Sequence, residues 1–181
     1  MIYVFLANGF EEVEALTPVD ILRRCELDVV TVGVGGSQVI TGSHGITVAA
    51  DVEESDITIG AETDMIILPG GMPGTLNLEK SPYVQKAIDF CIENDKYVAA
   101  ICAAPSILGH KGLLKGKTAT CFPGFENELI EADVSSELVC VYGKIITAKG
   151  AGAAMKFALK LAEITAGEKL AKKTEAALQC K

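Results

Sequence analysis

Short apolar runs alternate along the chain with longer segments whose apolar residues recur at helical spacing. Runs typical of buried strands occupy residues 2–7, 28–34, 65–68, 97–101, 118–121, 138–142 and 145–148, with short turn-rich pieces at 39–40 and 46–49. Amphipathic segments predict helices over residues 11–25, 81–94, 104–110, 151–166 and 168–178. Alternating strands and helices predict a mostly parallel sheet covered on both faces. Because crossovers are right-handed, the predicted fold class is α/β, a doubly wound three-layer α/β/α sandwich.

Prolines indicate where several of the predicted helices begin or are interrupted. Pro18 is expected to bend or interrupt the first helix, since proline removes a hydrogen bond inside a helix. Ser81 is a predicted cap for a helix whose first residue is Pro82. Pro105 similarly announces the helix that follows the strand at residues 97–101.

The composition predicts a single domain spanning residues 1–181, located in the cytoplasm. Hydrophobic residues make up 49% of the chain, and no apolar run approaches the roughly 18 to 20 residues that cross a bilayer. The start of the chain lacks the basic region of a secretory signal. The net charge of -8 argues against binding to nucleic acid or to an anionic membrane, because both require a basic face.

The six cysteines lie far apart in the sequence, without a Cys-x-x-Cys pair. A structural zinc site requires about four clustered ligands, and the chain has two histidines, His44 and His110, so no metal site is expected. Neither histidine is predicted to lie close to Cys102, which argues against a protease-like triad. In a reducing compartment most of the cysteines would be small core residues.

Cys102 lies where the strand at residues 97–101 runs directly into a helix. Such a junction makes a sharp, often strained turn that pushes the side chain into the cleft beyond the carboxyl end of the sheet. Ala103 and Ala104 are small enough to permit the turn. The start of the helix would then favour the thiolate and lower the thiol pKa. The alternative is an inert, buried cysteine at the end of an apolar strand.

A glycine loop, Pro69-Gly70-Gly71, leaves the same edge of the sheet. Its backbone N–H groups could bind an anion or a developing oxyanion. It could equally be a plain turn. The loop lacks the Gly-Lys-Ser/Thr signature of a phosphate loop.

Acidic residues follow the first strand. Glu11 and Glu12 are interpreted as solvated partners of the helix dipole. Glu14 lies about one turn further along and can point back towards the sheet edge. A protonated, partly desolvated carboxyl group there would donate a hydrogen bond to the thiolate of Cys102 and lower the thiol pKa, whereas an ionised one would raise it.

These motifs resemble the ThiJ/PfpI superfamily, specifically its Parkinson-disease deglycase (DJ-one) branch. The resemblance extends over nearly the whole chain. Five segments carry it: Gly9-Phe10-Glu11-Glu12-Val13-Glu14, Pro18-Val19-Asp20, Leu68-Pro69-Gly70-Gly71, Ala99-Ala100-Ile101-Cys102-Ala103-Ala104-Pro105 and Lys149-Gly150-Ala151-Gly152. The cysteine elbow and the Glu-Glu-x-Glu motif are specific in combination.

The resemblance implies a flavodoxin-like sandwich, usually a homodimer, without a cofactor. It implies that Cys102 is the nucleophile and a readily oxidised thiol, and that Glu14 is a protonated carboxyl group hydrogen-bonded to it. Gly71 and the Ala103 backbone would line an oxyanion pocket. The implied activities are a glutathione-independent glyoxalase, deglycation of early methylglyoxal adducts, and redox-dependent protection.

Two positions depart from the pattern of the superfamily. Many relatives carry a histidine near the cysteine in a Thr-His-Pro segment, whereas this chain has Cys121-Phe122-Pro123, so an acid/base helper is missing. The protease-like branch has a histidine directly after the nucleophile. Here that residue is Ala103, which argues against peptidase activity.

Three functions fit these observations. The leading hypothesis is an enzyme in which Cys102 attacks a small dicarbonyl such as methylglyoxal and Glu14 moves the protons, slowly because one group carries most of the acid/base work. The second is a redox sensor or stress-protective protein that works through oxidation of Cys102. The third is a binding domain for small anions. The first two use the same reactive thiol, so the sequence leaves both open.

Overall fold

A computed structural model describes residues 1–180. The strands are β1 (Ile2–Ala7), β2 (Val29–Val34), β3 (Val39–Thr41), β4 (Thr47–Ala49), β5 (Val52–Glu53), β6 (Met65–Leu68), β7 (Tyr97–Ile101), β8 (Thr118–Ala119), β9 (Asp133–Val134), β10 (Val139–Tyr142) and β11 (Ile145–Ala148). The helices are α1 (Glu12–Arg24), α2 (Gly74–Lys80), α3 (Pro82–Glu93), α4 (Pro105–His110), α5 (Ala154–Ala166) and α6 (Glu168–Ala177), with short 3-10 turns at Glu126–Glu128 and Ala151–Ala153.

The central sheet has seven strands in the order β10-β11-β7-β6-β1-β2-β5. All neighbours are parallel except the β10–β11 edge pair, so the predicted doubly wound, mostly parallel sheet is confirmed. From β1 the chain first adds β2 on one side and later β6 on the other. The direction of winding therefore changes between β1 and β6, and in such sheets ligands bind at that point, beyond the carboxyl ends of the strands.

Apolar residues cover both faces of the sheet. On one face Val4 and Ile67 pack in a cluster with Leu22 of α1 and Phe157 of α5. On the other face the residues next to them in sequence pack with residues of α3 and α4. This arrangement explains the uninterrupted apolar sequences of β1, β6 and β7, since a strand buried on both faces has no polar positions.

Several boundaries differ from those predicted. The helix α1 runs through Pro18 without interruption because buried residues on both sides of the proline, among them Ala15 and Leu22, hold it against the core. The strand β8 ends at Ala119 rather than at residue 121, and α2, β5 and β9 were not predicted. These three elements are short, so they carry almost no periodic signal.

The cap at Ser81 is confirmed, because its side-chain oxygen accepts a hydrogen bond from the backbone N–H of Val84 at the start of α3. A single domain over residues 1–181 stays a prediction, and Lys181 lies outside the described residues. Within residues 1–180, none of the helices combines the length and the apolar character that crossing a bilayer requires.

Candidate functional site

Cys102 occupies a strained turn between β7 and α4, as predicted. Its φ of 67° is in the left-handed region, which residues other than glycine adopt uncommonly. Two backbone hydrogen bonds hold it there: its N–H donates to the carbonyl of Ala148 at 2.9 Å, and its carbonyl accepts from the N–H of Phe122 at 2.8 Å. The side chain is partly exposed. A cysteine held in this way is presented to the cleft rather than buried in the core.

Gly70 lets the other functional groups approach this cysteine. A Cβ atom at Gly70 would lie 2.6 Å from both Cβ of Cys102 and Oε2 of Glu14, which is too close for any side chain. The next residue, Gly71, has a φ of 90°, a conformation that favours glycine. The loop is tied to the start of α1 because the N–H of Glu11 donates to the Gly70 carbonyl at 2.9 Å. The three loops that leave β1, β6 and β7 therefore do converge.

Glu14 is a buried carboxyl group beside Cys102. Only 1% of its surface is exposed, and its Oε2 accepts a hydrogen bond from the Gly70 N–H at 3.0 Å. Burial raises the pKa of Glu14 to about 7, although hydrogen bonds from Cys102 and from the backbone N–H groups of Gly70 and Ala151 act in the opposite direction. Glu14 thus has the desolvated carboxyl group that the sequence argument required, with a pKa suited to accepting and returning a proton near neutrality.

With Glu14 ionised, the thiol pKa is raised, as was predicted for that state, and the lowering expected beside a protonated Glu14 stays a prediction. Burial and the charge of the Glu14 carboxylate raise the pKa of Cys102 to about 12, while hydrogen bonds from the N–H groups of Ala103 and Gly71 act in the opposite direction. The helix start offers little compensation, since α4 has six residues and begins three positions after the cysteine. A Cys102 thiol beside an ionised Glu14 is therefore protonated near neutrality.

The three residues of the predicted oxyanion pocket, Gly70, Gly71 and Ala103, differ in whether their N–H groups are available to a substrate. The N–H of Gly70 is already directed at Glu14, so Gly70 lines the pocket without offering a free donor. The N–H groups of Gly71 and Ala103 act to lower the thiol pKa of Cys102, which places them near its sulfur. They are the two backbone donors next to the place where an oxyanion would form on an attacked carbonyl carbon.

The interpretation of Glu12 as a solvated residue is wrong. Glu12 is 4% exposed, and its carboxylate accepts hydrogen bonds from the backbone N–H of His44 at 2.8 Å and from the His44 ring at 2.9 Å. Burial would raise the pKa of Glu12, but these bonds and those from other backbone N–H groups outweigh it and lower the pKa to about 2. Glu11 does cap α1, accepting from the N–H of Glu14 at 2.7 Å. Glu12 instead fastens the turn between β3 and β4 to the start of α1.

We expect Glu12→Gln to lower the free energy of unfolding by about 1.5–3 kcal/mol near pH 6, the value typical of hydrogen bonds to a charged group. Because the folded pKa of Glu12 is about 2 and the ordinary value is 4.5, its stabilising effect is complete above pH 4.5 and is lost as the pH falls towards 2. Urea unfolding between pH 3 and 7 measures this difference, with the exposed Glu175→Gln as the control. A difference between wild type and variant that does not shrink below pH 4.5 contradicts this account.

Both histidines are engaged away from the sulfur. The His44 ring pairs with Glu12, and the His110 ring pairs with Glu79 and Glu128. Ligand atoms of Glu11, Glu12 and His44 lie within 4.8 Å of one another, but the hydrogen bonds between Glu12 and His44 already account for that proximity. That the protein needs no metal stays a prediction.

The candidate site is not identified by the volume of a cleft. Two clefts of about 440 and 510 Å³ lie elsewhere, one between β10, α5 and α6 and the other at the amino-terminal edge of the sheet. Neither is lined by Cys102 or Glu14, and neither combines a nucleophile with a buried carboxyl group. The chemistry around Cys102, rather than cleft size, identifies it as the candidate site.

Two further segments contribute to the site and were not assigned a role from the sequence. The N–H of Ala151, just after β11, is directed at Glu14. Phe122, just after β8, donates its N–H to the carbonyl of Cys102. The Lys149-Gly150-Ala151-Gly152 motif was a signal for the first. For the second, the resemblance implied that position 122 lies near the cysteine, but it did not indicate this backbone contact.

Fold and site together define a doubly wound α/β protein with a cysteine at a nucleophile elbow beside a buried carboxyl group. A model of the DJ-1/PfpI family matches residues 1–164, and the chain belongs to that family. A solved structure of oxidized DJ-1 from Toxoplasma gondii has a TM-score of 0.93 and 35% identity, covering 98% of this chain and 97% of that one. The flavodoxin-like three-layer fold is thereby confirmed.

The chain is also similar to curated proteins of animals and plants. It is 33% identical to a Parkinson disease protein 7 homolog of Danio rerio, covering 97% of this chain and 94% of the relative. It is 29% identical to the glutathione-independent glyoxalase DJR-1.2 of Caenorhabditis elegans, covering 87% and 83%. Against two Arabidopsis thaliana relatives, the DJ-1 homologs B and A, it spans 38% and 43% of their lengths.

Proposed function

We propose that the protein is a cysteine-dependent enzyme that converts small 2-oxoaldehydes into 2-hydroxy acids without glutathione. The observation that carries the proposal is the pairing of partly exposed Cys102 with buried Glu14, whose pKa is raised to about 7. This pairing supplies a nucleophile and a base within one small site. The C. elegans relative is named a glutathione-independent glyoxalase, which supports the same chemistry here.

The first step joins the sulfur to the substrate. As the S–C bond forms at the aldehyde carbon, the thiol proton passes to the Glu14 carboxylate and the carbonyl oxygen becomes an oxyanion. The N–H groups of Gly71 and Ala103 are the nearest backbone donors for that oxygen. Glu14 then gives the proton to the oxyanion, which yields a hemithioacetal and leaves the carboxylate free to act as a base again.

The second step moves hydrogen within the bound molecule. Glu14 removes the proton from the former aldehyde carbon and returns a proton to the neighbouring carbon through an enediol, so one carbon is oxidised as the other is reduced. The product is a thioester that water hydrolyses to the hydroxy acid, releasing the thiol. Because this redox change is internal to the substrate, we propose that no metal or other cofactor takes part. In deglycation of an early methylglyoxal adduct, Cys102 would bond to the hemiaminal carbon as the C–N bond breaks and the amine is released, which gives the same hemithioacetal.

The test is direct. Purified protein incubated with methylglyoxal and no glutathione should form lactate, slowly because Glu14 performs most of the acid/base work alone. Lactate is measured against a buffer control. A rate no greater than that of buffer contradicts the proposal.

A second function is favoured by the exposure of the cysteines. Cys102 and Cys180 are partly exposed, whereas Cys25, Cys91, Cys121 and Cys140 are buried. Attack of the Cys102 sulfur on a peroxide forms an S–O bond, breaks the O–O bond and releases hydroxide or water, while Glu14 takes the thiol proton. A protein that senses oxidative stress would use this reaction.

Peroxide titration followed by intact mass and peptide mapping tests the sensing role. We expect Cys102 to gain oxygen before any other cysteine. Oxidation of Cys180 first would remove the basis for a sensor built on this site.

We further propose a homodimer located in the cytoplasm, with no nucleic acid or membrane as partner. The six cysteines are free, which fits a reducing compartment. An exposed apolar patch formed by Val13, Leu16, Ile46 and Met155 joins the outer face of α1 to the β3–β4 turn and α5, and supports self-association at this surface.

Light scattering after size exclusion should give a dimer for wild type and a monomer for Leu16→Glu, because a buried charge at the patch has no partner. Leu76→Glu is the matched control, since this leucine of α2 is also exposed and lies outside the patch. A monomeric wild type, or a dimer that survives Leu16→Glu, excludes this interface.

A further inference from the structure

Phe122 stands at the edge of the candidate site. Its backbone N–H donates to the carbonyl of Cys102 at 2.8 Å, which fixes the residue beside the nucleophile. Its ring carbon Cδ2 lies 3.1 Å from the position of a Cβ atom on Gly150, and Oε1 of Glu14 lies 3.8 Å from that same position. The ring edge and the carboxyl group that moves the proton therefore flank one point in space.

The ring of Phe122 is not part of the hydrophobic core. It is 47% exposed, and it belongs to neither of the two buried clusters that flank the sheet. Leaving so much aromatic surface in water is unfavourable, since burial of a phenylalanine side chain stabilises by roughly 1.5–3 kcal/mol. A ring with a fixed backbone and an open surface next to a reactive thiol is placed to be covered by a bound molecule.

Gly150 allows the Phe122 ring to pack closely beside the site. Its φ of 160° is available to other residues, so the backbone conformation does not explain the glycine. A side chain would instead contact the Phe122 ring at one side and approach Glu14 at the other. The absence of a side chain therefore lets the ring lie close to Gly150, with the Glu14 carboxyl group near the same position.

We propose that Phe122 selects the substituent of the 2-oxoaldehyde, favouring aromatic and bulky apolar groups such as that of phenylglyoxal over the methyl group of methylglyoxal. This rests on the proposed function. The carbonyl oxygens are held by the N–H groups near Cys102 and by Glu14, all on the inner side of the site. The substituent then lies against the exposed surface of the Phe122 ring, which offers an edge-to-face or offset contact for another ring.

The test compares kcat/KM for phenylglyoxal and methylglyoxal. Wild type should prefer phenylglyoxal, and Phe122→Ala should lower the preference ratio about tenfold, as expected for loss of one apolar contact in a binding site. Phe122→Leu should restore part of the ratio because it replaces the apolar surface. Tyr83→Ala, which removes an exposed aromatic residue of α3, is the control and should leave the ratio unchanged. A ratio that is the same in wild type and Phe122→Ala overturns the proposal.

A second readout does not require turnover. Alkylation of Cys102 by 2-bromoacetophenone and by bromoacetone forms an S–C bond with loss of bromide, and the two reagents carry the phenyl and methyl substituents. Intact mass follows the rates, with Cys102→Ser identifying the modified residue. If no lactate forms but the phenyl reagent is preferred in a Phe122-dependent way, the proposed reaction fails and the selectivity stands. Equal dependence of both reagents on Phe122 overturns the selectivity even in an active enzyme.

Discussion

Cys102→Ser should lower kcat/KM for methylglyoxal by at least about 10³-fold, since removal of a nucleophile eliminates the covalent path. The serine hydroxyl is smaller and far less acidic than the thiol, and Glu14 cannot deprotonate it effectively with a pKa of about 7. The fold should persist because the elbow is held by backbone hydrogen bonds to Ala148 and Phe122 that do not involve the side chain. Lactate production measures the effect.

The matched control is Cys180→Ser, which changes the other partly exposed cysteine at a position outside the candidate site. It should retain wild-type activity. Equal lactate production by wild type and Cys102→Ser would show that the activity belongs to a contaminant or to another residue.

Glu14→Gln should have opposite effects on activity and on stability at alkaline pH. Activity should fall about 10²- to 10⁴-fold, because the amide neither accepts nor returns a proton. Stability relative to wild type should rise with pH. The folded pKa of Glu14 is about 7 against an ordinary value of 4.5, so the folded protein binds this proton more tightly than the unfolded chain does.

This difference in pKa determines how the stability of wild type changes with pH. Below pH 4.5 the carboxyl group is protonated in both the folded and the unfolded state, so its ionisation does not change the free energy of unfolding. Between pH 4.5 and 7 only the unfolded chain ionises freely, so wild type loses stability, reaching a constant deficit on the order of 3 kcal/mol above pH 7. The glutamine variant has no such loss, although it sacrifices one backbone hydrogen bond at every pH.

Chemical unfolding of wild type and Glu14→Gln from pH 4 to 8 measures the effect as a change in the difference between them. Glu62→Gln, an exposed position, should show no such trend. A difference that stays constant across this range would mean that the buried carboxyl group ionises at its ordinary pKa, and the assignment of Glu14 as the base would lose its support.

The parts of this protein that follow from local sequence were predictable. The elbow at Cys102 is set by the junction of an apolar strand with small residues and Pro105, and the start of α3 is set by Ser81 and Pro82. The parallel sheet follows from the alternation of strands and helices. Each of these features depends on residues that are neighbours along the chain.

Features that depend on residues far apart in the sequence were predicted only in part. In the sequence, Glu12 is indistinguishable from a solvated acidic residue at a helix start. In the fold, His44 of the β3–β4 turn covers it and hydrogen-bonds to its carboxylate. The high pKa of Cys102 depends on the depth of burial and on an ionised neighbour. The place of Phe122 beside the site depends on its hydrogen bond to Cys102, which joins two segments far apart in the sequence. Burial and through-space charge are properties of the assembled fold.

The missing side chain at Gly70 has a consequence for how this chemistry can vary among related proteins. Even a single added methyl group would lie 2.6 Å from both the cysteine Cβ atom and the glutamate oxygen, so it would force the two apart. The close approach of Cys102 and Glu14 therefore depends on the absence of a Cβ atom at residue 70. Substitution at residue 70 would separate the Glu14 carboxyl group from Cys102 while leaving both residues in the sequence, and we expect such a chain to lose the proposed activity.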